Sequence, residues 1–366
     1  MNEEDIEKFK EELLENPYKF ICDYVEEILP YVGKVCFEIL SLSIPSLIIP
    51  DILYEGKFIR SNINVLFLAN PGSGKTQIAQ QFSFFAYNSQ DFESVTTARF
   101  EDDLKVNPEG TLVVGDCSRI LRDPFMIKTI EGILEEKKVN RKTKKHEVVE
   151  NVNYVGLLCG TPQDLTGLLT GGLLFRFVPI ILFHTTEQHS EIGRYINNRI
   201  FEEDNISIKE KLIKGFFETL LSIQMGENQD IKKVTGYKVS ENFKKKIYET
   251  WEKITSHAQF ETQQNWFREL HEYYRFLLSH AFLNIFNRKV DEYGILYPNE
   301  EDLEIATKLF KKTTIEKIKL LKSERIANQI DSVKRFKELI GEEQNNNRID
   351  KNKKYIELFT SPKFKK

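Results

Sequence analysis

The stretch that decides the fold is Ile63-Asn64-Val65-Leu66-Phe67-Leu68-Ala69-Asn70-Pro71-Gly72-Ser73-Gly74-Lys75-Thr76-Gln77-Ile78-Ala79-Gln80-Gln81-Phe82. Its first six residues form a short apolar run, read as a buried strand. A loop of small residues follows, and then a helical pattern. Glycines at 72 and 74 let backbone N–H groups turn inward around an anion, and the partial positive charge of the helix N-terminus favours that anion. A lysine at position 75 is placed to reach β- and γ-phosphates, and the hydroxyl of Thr76 to ligate Mg²⁺. Asn70, Pro71, Gly72, Ser73, Gly74, Lys75, Thr76 and Gln77 are therefore expected to hold ATP. Ala69 stands where the first glycine of GxxxxGK[ST] falls, a small residue that the turn tolerates.

Working outward, Thr111-Leu112-Val113-Val114-Gly115-Asp116 reads as a second buried strand ending in a carboxylate, so Asp116 is the second expected Mg²⁺ ligand. Cys117 follows it, where ATPases of this kind carry a glutamate that polarises the attacking water. Glu101, Asp102 and Asp123 are the acidic residues nearby. Further apolar runs, Tyr154 to Cys159 and Val178 to Phe183, alternate with helical segments. The expected core is thus an α/β parallel sheet covered on both faces. Residues 1–60 are expected to be helical, with Ile6, Phe9, Leu13, Phe20, Tyr24 and Ile28 on apolar faces. The α/β core spans 61–190 and a helical lid 191–322. Residues 323–366 are expected to be a helix followed by a basic, disordered tail.

Charged residues make up 30% of the 366 and nearly balance, for a net charge of −4, so any basic surface must be local. Four separated cysteines, Cys22, Cys36, Cys117 and Cys159, suit neither a disulfide framework nor a zinc site. The acidic N-terminus lacks an apolar signal core. The apolar stretches at 39–50 and 166–183 are interrupted by Pro45 and by Arg176 and Pro179. A cytoplasmic protein outside the membrane is expected.

Arg60-Ser61-Asn62-Ile63-Asn64-Val65-Leu66-Phe67, followed by Pro-Gly-Ser-Gly-Lys-Thr, resembles the RGDINVLL…GDPGxAKS stretch of the minichromosome maintenance (MCM) helicases. Those are AAA+ ATPases that form hexameric rings on DNA. Leu157-Leu158-Cys159-Gly160-Thr161-Pro162 resembles the strand ending in the family's sensor-1 Asn-Pro, with Thr161 at the asparagine. Leu173-Leu174-Phe175-Arg176-Phe177 is similar to the LLSRFD segment that carries the arginine finger. Arg268-Glu269-Leu270, with Arg275 beyond it, resembles the sensor-2 helix, and Glu301 to Ala306 the helix that closes the ATPase domain. The resemblance implies an AAA+ P-loop core with a helical lid. It also implies nucleotide chemistry by Lys75, Asp116, Thr161, Arg268 and a neighbour's Arg176. It covers about residues 30–320 and departs from the family at Cys117 and at the absent helix-2 insertion.

Lys137-Lys138-Val139-Asn140-Arg141-Lys142-Thr143-Lys144-Lys145-His146 packs six cations into ten residues. Asn140 to Lys144 reads as a turn between two short strands. In the family this is where a hairpin touches DNA, which makes Lys137, Lys138, Arg141, Lys142, Lys144 and Lys145 the expected phosphate contacts. The leading expectation is an oligomeric MCM-like ATPase, a helicase or translocase module acting on DNA beside replication proteins. The rivals are an ATP-dependent scaffold or loader without turnover, which Cys117 favours, and a protein-remodelling AAA+ ATPase.

Overall fold

Strand residues alternate between two apolar environments, and that alternation builds the molecule. The computed structural model describes residues 3–30, 32–54, 57–91, 102–104, 106–117, 123–136, 138–142, 146–150, 152–161, 173–182, 184–199, 208–262 and 267–340. Three helices come first, α1 (Glu3–Glu15), α2 (Pro17–Ile28) and α3 (Gly33–Ser46), then a small antiparallel pair, β1 (Ile52–Tyr54) and β2 (Lys57–Ile59). The fold-deciding stretch forms β3 (Val65–Ala69) and α4 (Lys75–Phe85). After it come β4 (Ser89–Asp91), β5 (Glu109–Val114), α5 (Pro124–Glu131), the hairpin β6 (Lys138–Lys142) and β7 (His146–Glu150), β8 (Asn153–Gly160) and β9 (Val178–Leu182).

Strands β4, β5, β8, β3 and β9 lie in that order in one five-stranded sheet, every neighbouring pair parallel. Val65, Phe67, Val113, Val155, Leu157 and Ile180 face one core together with Ile78, Phe82 and Phe85 of α4. Leu66, Leu68, Leu112, Val114, Tyr154 and Leu158 face a second core with Met126 and Ile130 of α5. A strand buried on both faces has no polar alternation, which is why these runs read as continuous apolar segments.

The C-terminal half holds α6 (Thr186–Arg199), α7 (Ile208–Met225), β10 (Gly236–Tyr237), α8 (Glu241–Thr262), α9 (Phe267–Leu283), β11 (Lys289–Val290), β12 (Ile295–Tyr297) and the 41-residue α10 (Glu300–Ile340). Helix α3 is buried almost all round, between the sheet, α2 and α9, which accounts for the apolar stretch from Ile39. The region expected to be a purely helical lid contains a three-stranded sheet, ordered β10-β12-β11. Its strands of two or three residues are too short to show a period in sequence. Likewise β1 and β2 interrupt the expected N-terminal helical segment. Leu320 of α10 packs into the second sheet core beside Phe177, so the C-terminal half and the parallel sheet share packing. The expected tail from 341 lies outside the described residues. No helix among the described residues is long and apolar enough to cross a membrane.

Candidate functional site

At the end of β3 the chain turns through Asn70, Pro71, Gly72, Ser73 and Gly74 into α4. Gly72 has φ +78° and Gly74 φ +82°, the left-handed region where a Cβ is strained. A Cβ built on Gly72 would meet nothing within 4 Å, whereas one on Gly74 would come within 3.3 Å of Val32 Cγ1. The loop therefore rests on the turn before α3 and presents its other side openly. The Asn70 carbonyl accepts from Ser73 N–H at 3.3 Å, from the Ser73 hydroxyl at 2.5 Å and from Lys75 Nζ at 3.1 Å. Lys75 Nζ also donates to the Ala69 carbonyl at 2.7 Å. The ammonium thus folds over the loop that a phosphate would occupy. Thr76 and Gln77 are exposed in the first turn of α4.

Register decides what stands beside the loop. Leu68 is opposite Gly160, and Val114 opposite Leu158, so the ends of β3, β8 and β5 carry Ala69, Thr161 and Asp116 along one edge of the sheet. With β8 between them, the ends of β3 and β5 are about 10 Å apart. Ligands of open parallel sheets bind outside this carboxyl-terminal edge. Asp116 is exposed and Thr161 half-buried. Cys117 is fully buried, and its N–H donates to the Cys159 carbonyl at 2.8 Å. Its side chain points into the second core with Val114 and Met126, away from the loop. Asp123 is committed to capping α5: its Oδ1 accepts from the N–H of Phe125 at 2.9 Å and of Met126 at 3.4 Å. Asp102 is exposed, and Glu101 lies outside the described residues.

The residues fit ATP–Mg²⁺ by their chemistry. Magnesium keeps several waters and needs only one or two protein oxygens, which Thr76 and Asp116 can supply. No cluster of three His, Cys, Asp or Glu side chains among the described residues is placed to hold a metal. All four cysteines are buried, and no disulfide joins them. Burial pushes the Cys22 thiol up to about 12, which makes it unreactive.

The opposite edge of the sheet explains other residues. Arg60 is buried and donates to the carbonyls of Ile133 at 2.5 Å and Val152 at 3.1 Å, while its own carbonyl accepts from Arg275 Nε at 2.8 Å. Asn62 donates to the Tyr154 carbonyl at 2.8 Å, and Asn64 accepts from Gly156 N–H at 3.0 Å. The Arg60–Asn64 segment therefore laces the amino-terminal ends of β3 and β8 to the helices below. Arg275 belongs to this belt and not to the carboxyl-terminal edge. Arg176 is at the same end, in the turn leading into β9, and forms an ion pair with Glu131 of α5 at 2.9 Å. Nothing in the sequence marks Glu131 or Val32, because both meet their partners only through the fold. Arg268 is exposed in the first turn of α9; burial, and then the charges of Arg275 and Arg268, hold the neighbouring His271 imidazole below its usual range.

The basic segment is a hairpin, but its turn is not where the sequence suggested. Asn140, Arg141 and Lys142 are strand residues, and the connection is at 143–145. The in-phase pairing of Val139 with Val149 sets that register. It places Lys138 opposite Glu150 and Arg141 opposite Glu147, while Lys142 pairs with His146. Lys137, Lys144 and Lys145 lie outside the described residues. No protein-family model matches the chain, and no curated protein sequence is similar to it.

Proposed function

We propose that this chain is an ATP–Mg²⁺-binding ATPase of MCM-like AAA+ type that works as an oligomer on DNA. The observation that carries the proposal is the loop from Asn70 to Thr76. It follows a buried strand, takes two left-handed glycines and opens a helix of 11 residues at the carboxyl edge of a parallel sheet. In this reading the loop N–H groups and Lys75 hold the phosphates, with Lys75 exchanging its two carbonyl partners for phosphate oxygens. Thr76 and Asp116 hold the metal, which neutralises phosphate charge. Thr161 donates its hydroxyl from the interposed strand end. Arg268 approaches from the lid, and Arg176 serves a neighbouring subunit. The cations of the β6–β7 hairpin contact DNA phosphates, with no sequence preference. Calorimetry with ATP and Mg²⁺ tests the core of it. The wild type should bind, Lys75→Ala should lose most of the affinity, and absence of Mg²⁺-dependent uptake by the wild type would remove the proposal.

Cys117 favours a second reading, a nucleotide-dependent scaffold or loader without turnover. Its thiol is enclosed in the second core, and Asp123 is occupied as a helix cap. The buried thiol is closed off from water, and Asp123 Oδ1 is engaged at the helix end. Steady-state phosphate release, with and without single-stranded DNA and with Lys75→Ala as the blank, separates the two readings. Release above the blank supports the ATPase; binding without release supports the scaffold.

A further inference from the structure

Where α9 meets α10, three ionisable side chains are closed off from water. Glu269 and Lys317 are fully buried and Glu272 is 4% exposed. Lys317 Nζ is 2.5 Å from Glu272 Oε2 and 3.2 Å from Glu269 Oε1. The other Glu272 oxygen accepts from the Thr313 hydroxyl at 2.9 Å, so both of its oxygens are satisfied. Glu269 Oε2 is buried with no hydrogen-bond partner. One ammonium therefore faces two carboxyl groups in a site with almost no solvent exposure. Charge balance requires one proton on the pair, since an unmatched buried charge is far costlier than a neutral acid. The orphan oxygen identifies its position, because a carboxylate there would lack the partner that Glu272 has. The charged groups that act most strongly on Glu269 are Lys317 from α10, which attracts, and Glu272 one turn along α9, which repels; α2, α3, α8 and β12 also pack on α9.

We propose that Glu269, Glu272 and Lys317 form a proton-operated lock between α9 and α10, closed when Glu269 carries the proton and loosened when it leaves. Burial, against the attraction of Lys317 and together with repulsion from Glu272, raises the Glu269 carboxyl to about 7. The folded state therefore holds the proton more tightly than the unfolded chain. Stability from the lock is complete below the unfolded value of 4.5 and is lost as pH rises through about 7. Lys317 stays charged throughout: burial opposes the charge, but the two glutamates outweigh it and raise its pKa. The lock also fixes the helical turn that presents Arg268, a consequence that rests on the nucleotide-site reading.

Two measurements on the full chain test the lock. Carboxyl-carbon NMR of glutamate-labelled protein should show one glutamate titrating near neutral pH in the wild type and none in Glu269→Gln. In denaturant unfolding, the wild-type folded-to-unfolded ratio should fall about a hundredfold relative to Glu269→Gln between about pH 5 and pH 8.5. Lys317→Met, which leaves two buried carboxyls without a cation, should be weakest at high pH and recover on acidification. The lock is overturned if Glu269→Gln keeps the wild-type pH slope or if no glutamate titrates near neutrality. If the lock behaves as expected while ATP affinity has the same pH profile in wild type and Glu269→Gln, the lock stands and the role given to Arg268 falls.

Discussion

Lys75 illustrates how much a single residue can be asked to do. Its Nζ donates to the Ala69 and Asn70 carbonyls in one half-buried and one exposed hydrogen bond, so water can replace it and truncation costs the fold little while removing the only loop cation. Lys75→Ala should therefore unfold at nearly the wild-type denaturant concentration and yet fail to bind ATP–Mg²⁺, a contrast that calorimetry and a urea titration read together. Gly74→Ala is the subtler variant. A side chain at φ +82° costs about 1–2 kcal/mol, and its Cβ would press on Val32. Weaker nucleotide binding with a modest loss of stability is expected. Among buried charges, Asp302 gives the opposite pH behaviour to Glu269. Burial raises its carboxyl, but hydrogen bonds from His280 at 2.7 Å and from Arg288 outweigh burial and hold it below 3.8. That stability is present above the unfolded value of 3.8 and is lost as pH falls through the lower folded value. Asp302→Asn leaves Arg288 short of its buried counter-ion, and a loss of roughly 3–5 kcal/mol at pH 7 in urea unfolding is expected. A change below about 1 kcal/mol would mean the network is not acting as a unit.

At the scale of elements, the β6–β7 hairpin converts a run of charge into a gradient. Lys138 and Arg141 each stand opposite a glutamate in the register, whereas Lys142, beside the connection, stands opposite His146. Replacing Lys142, Lys144 and Lys145 by alanine should flatten the salt dependence of single-stranded DNA binding by about 2 units, at roughly 0.7 for each phosphate no longer neutralised. Replacing Lys138 and Arg141 should change it less. Equal effects from the two sets would show that the register has no bearing on DNA, and no effect from either would remove the DNA contact. The same hairpin shows what a sequence conceals. Its existence was readable from clustered cations beside Val148 and Val149, but the turn was misplaced because Asn140 is a good turn former that tertiary register overrode. The strand–loop–helix geometry around Gly72 and Gly74, and strands β3, β5, β8 and β9, were readable because long apolar runs and glycine-rich turns act locally. Strands β10 to β12 and the edge strand β4 were not, since runs of two or three residues show no period, and β10 is set only by its pairing with β12 far along the chain. The Arg60–Asn64 segment was readable as a motif but not as a role, which only the carbonyls of Ile133 and Val152 disclose.

For the whole molecule, the two edges of the sheet separate the assignments into those one chain can satisfy and those it cannot. The loop, Asp116 and Thr161 share the carboxyl edge. Arg176 belongs to the other edge, where Val178 N–H donates to the Asn64 carbonyl at 2.7 Å. A five-residue strand spans about 16 Å, so Arg176 stands too far from its own loop to touch a nucleotide there. Either its ion pair with Glu131 is its whole purpose, or it serves the loop of an adjoining copy. The alternatives differ in what mixing does. Under the proposed function, Lys75→Ala should lose nucleotide binding but still offer Arg176, while Arg176→Ala should bind nucleotide but offer no arginine. If subunits meet head to tail, a one-to-one mixture forms complete sites at roughly a quarter of its interfaces. Phosphate release should then rise well above the sum of the two variants alone, and mass in solution should increase with ATP–Mg²⁺. A mixture no more active than its components, from a wild type that does turn over, would assign Arg176 to Glu131 alone. The shared site would then have to be sought within one chain, where Arg268 is the remaining arginine of the proposed nucleotide set.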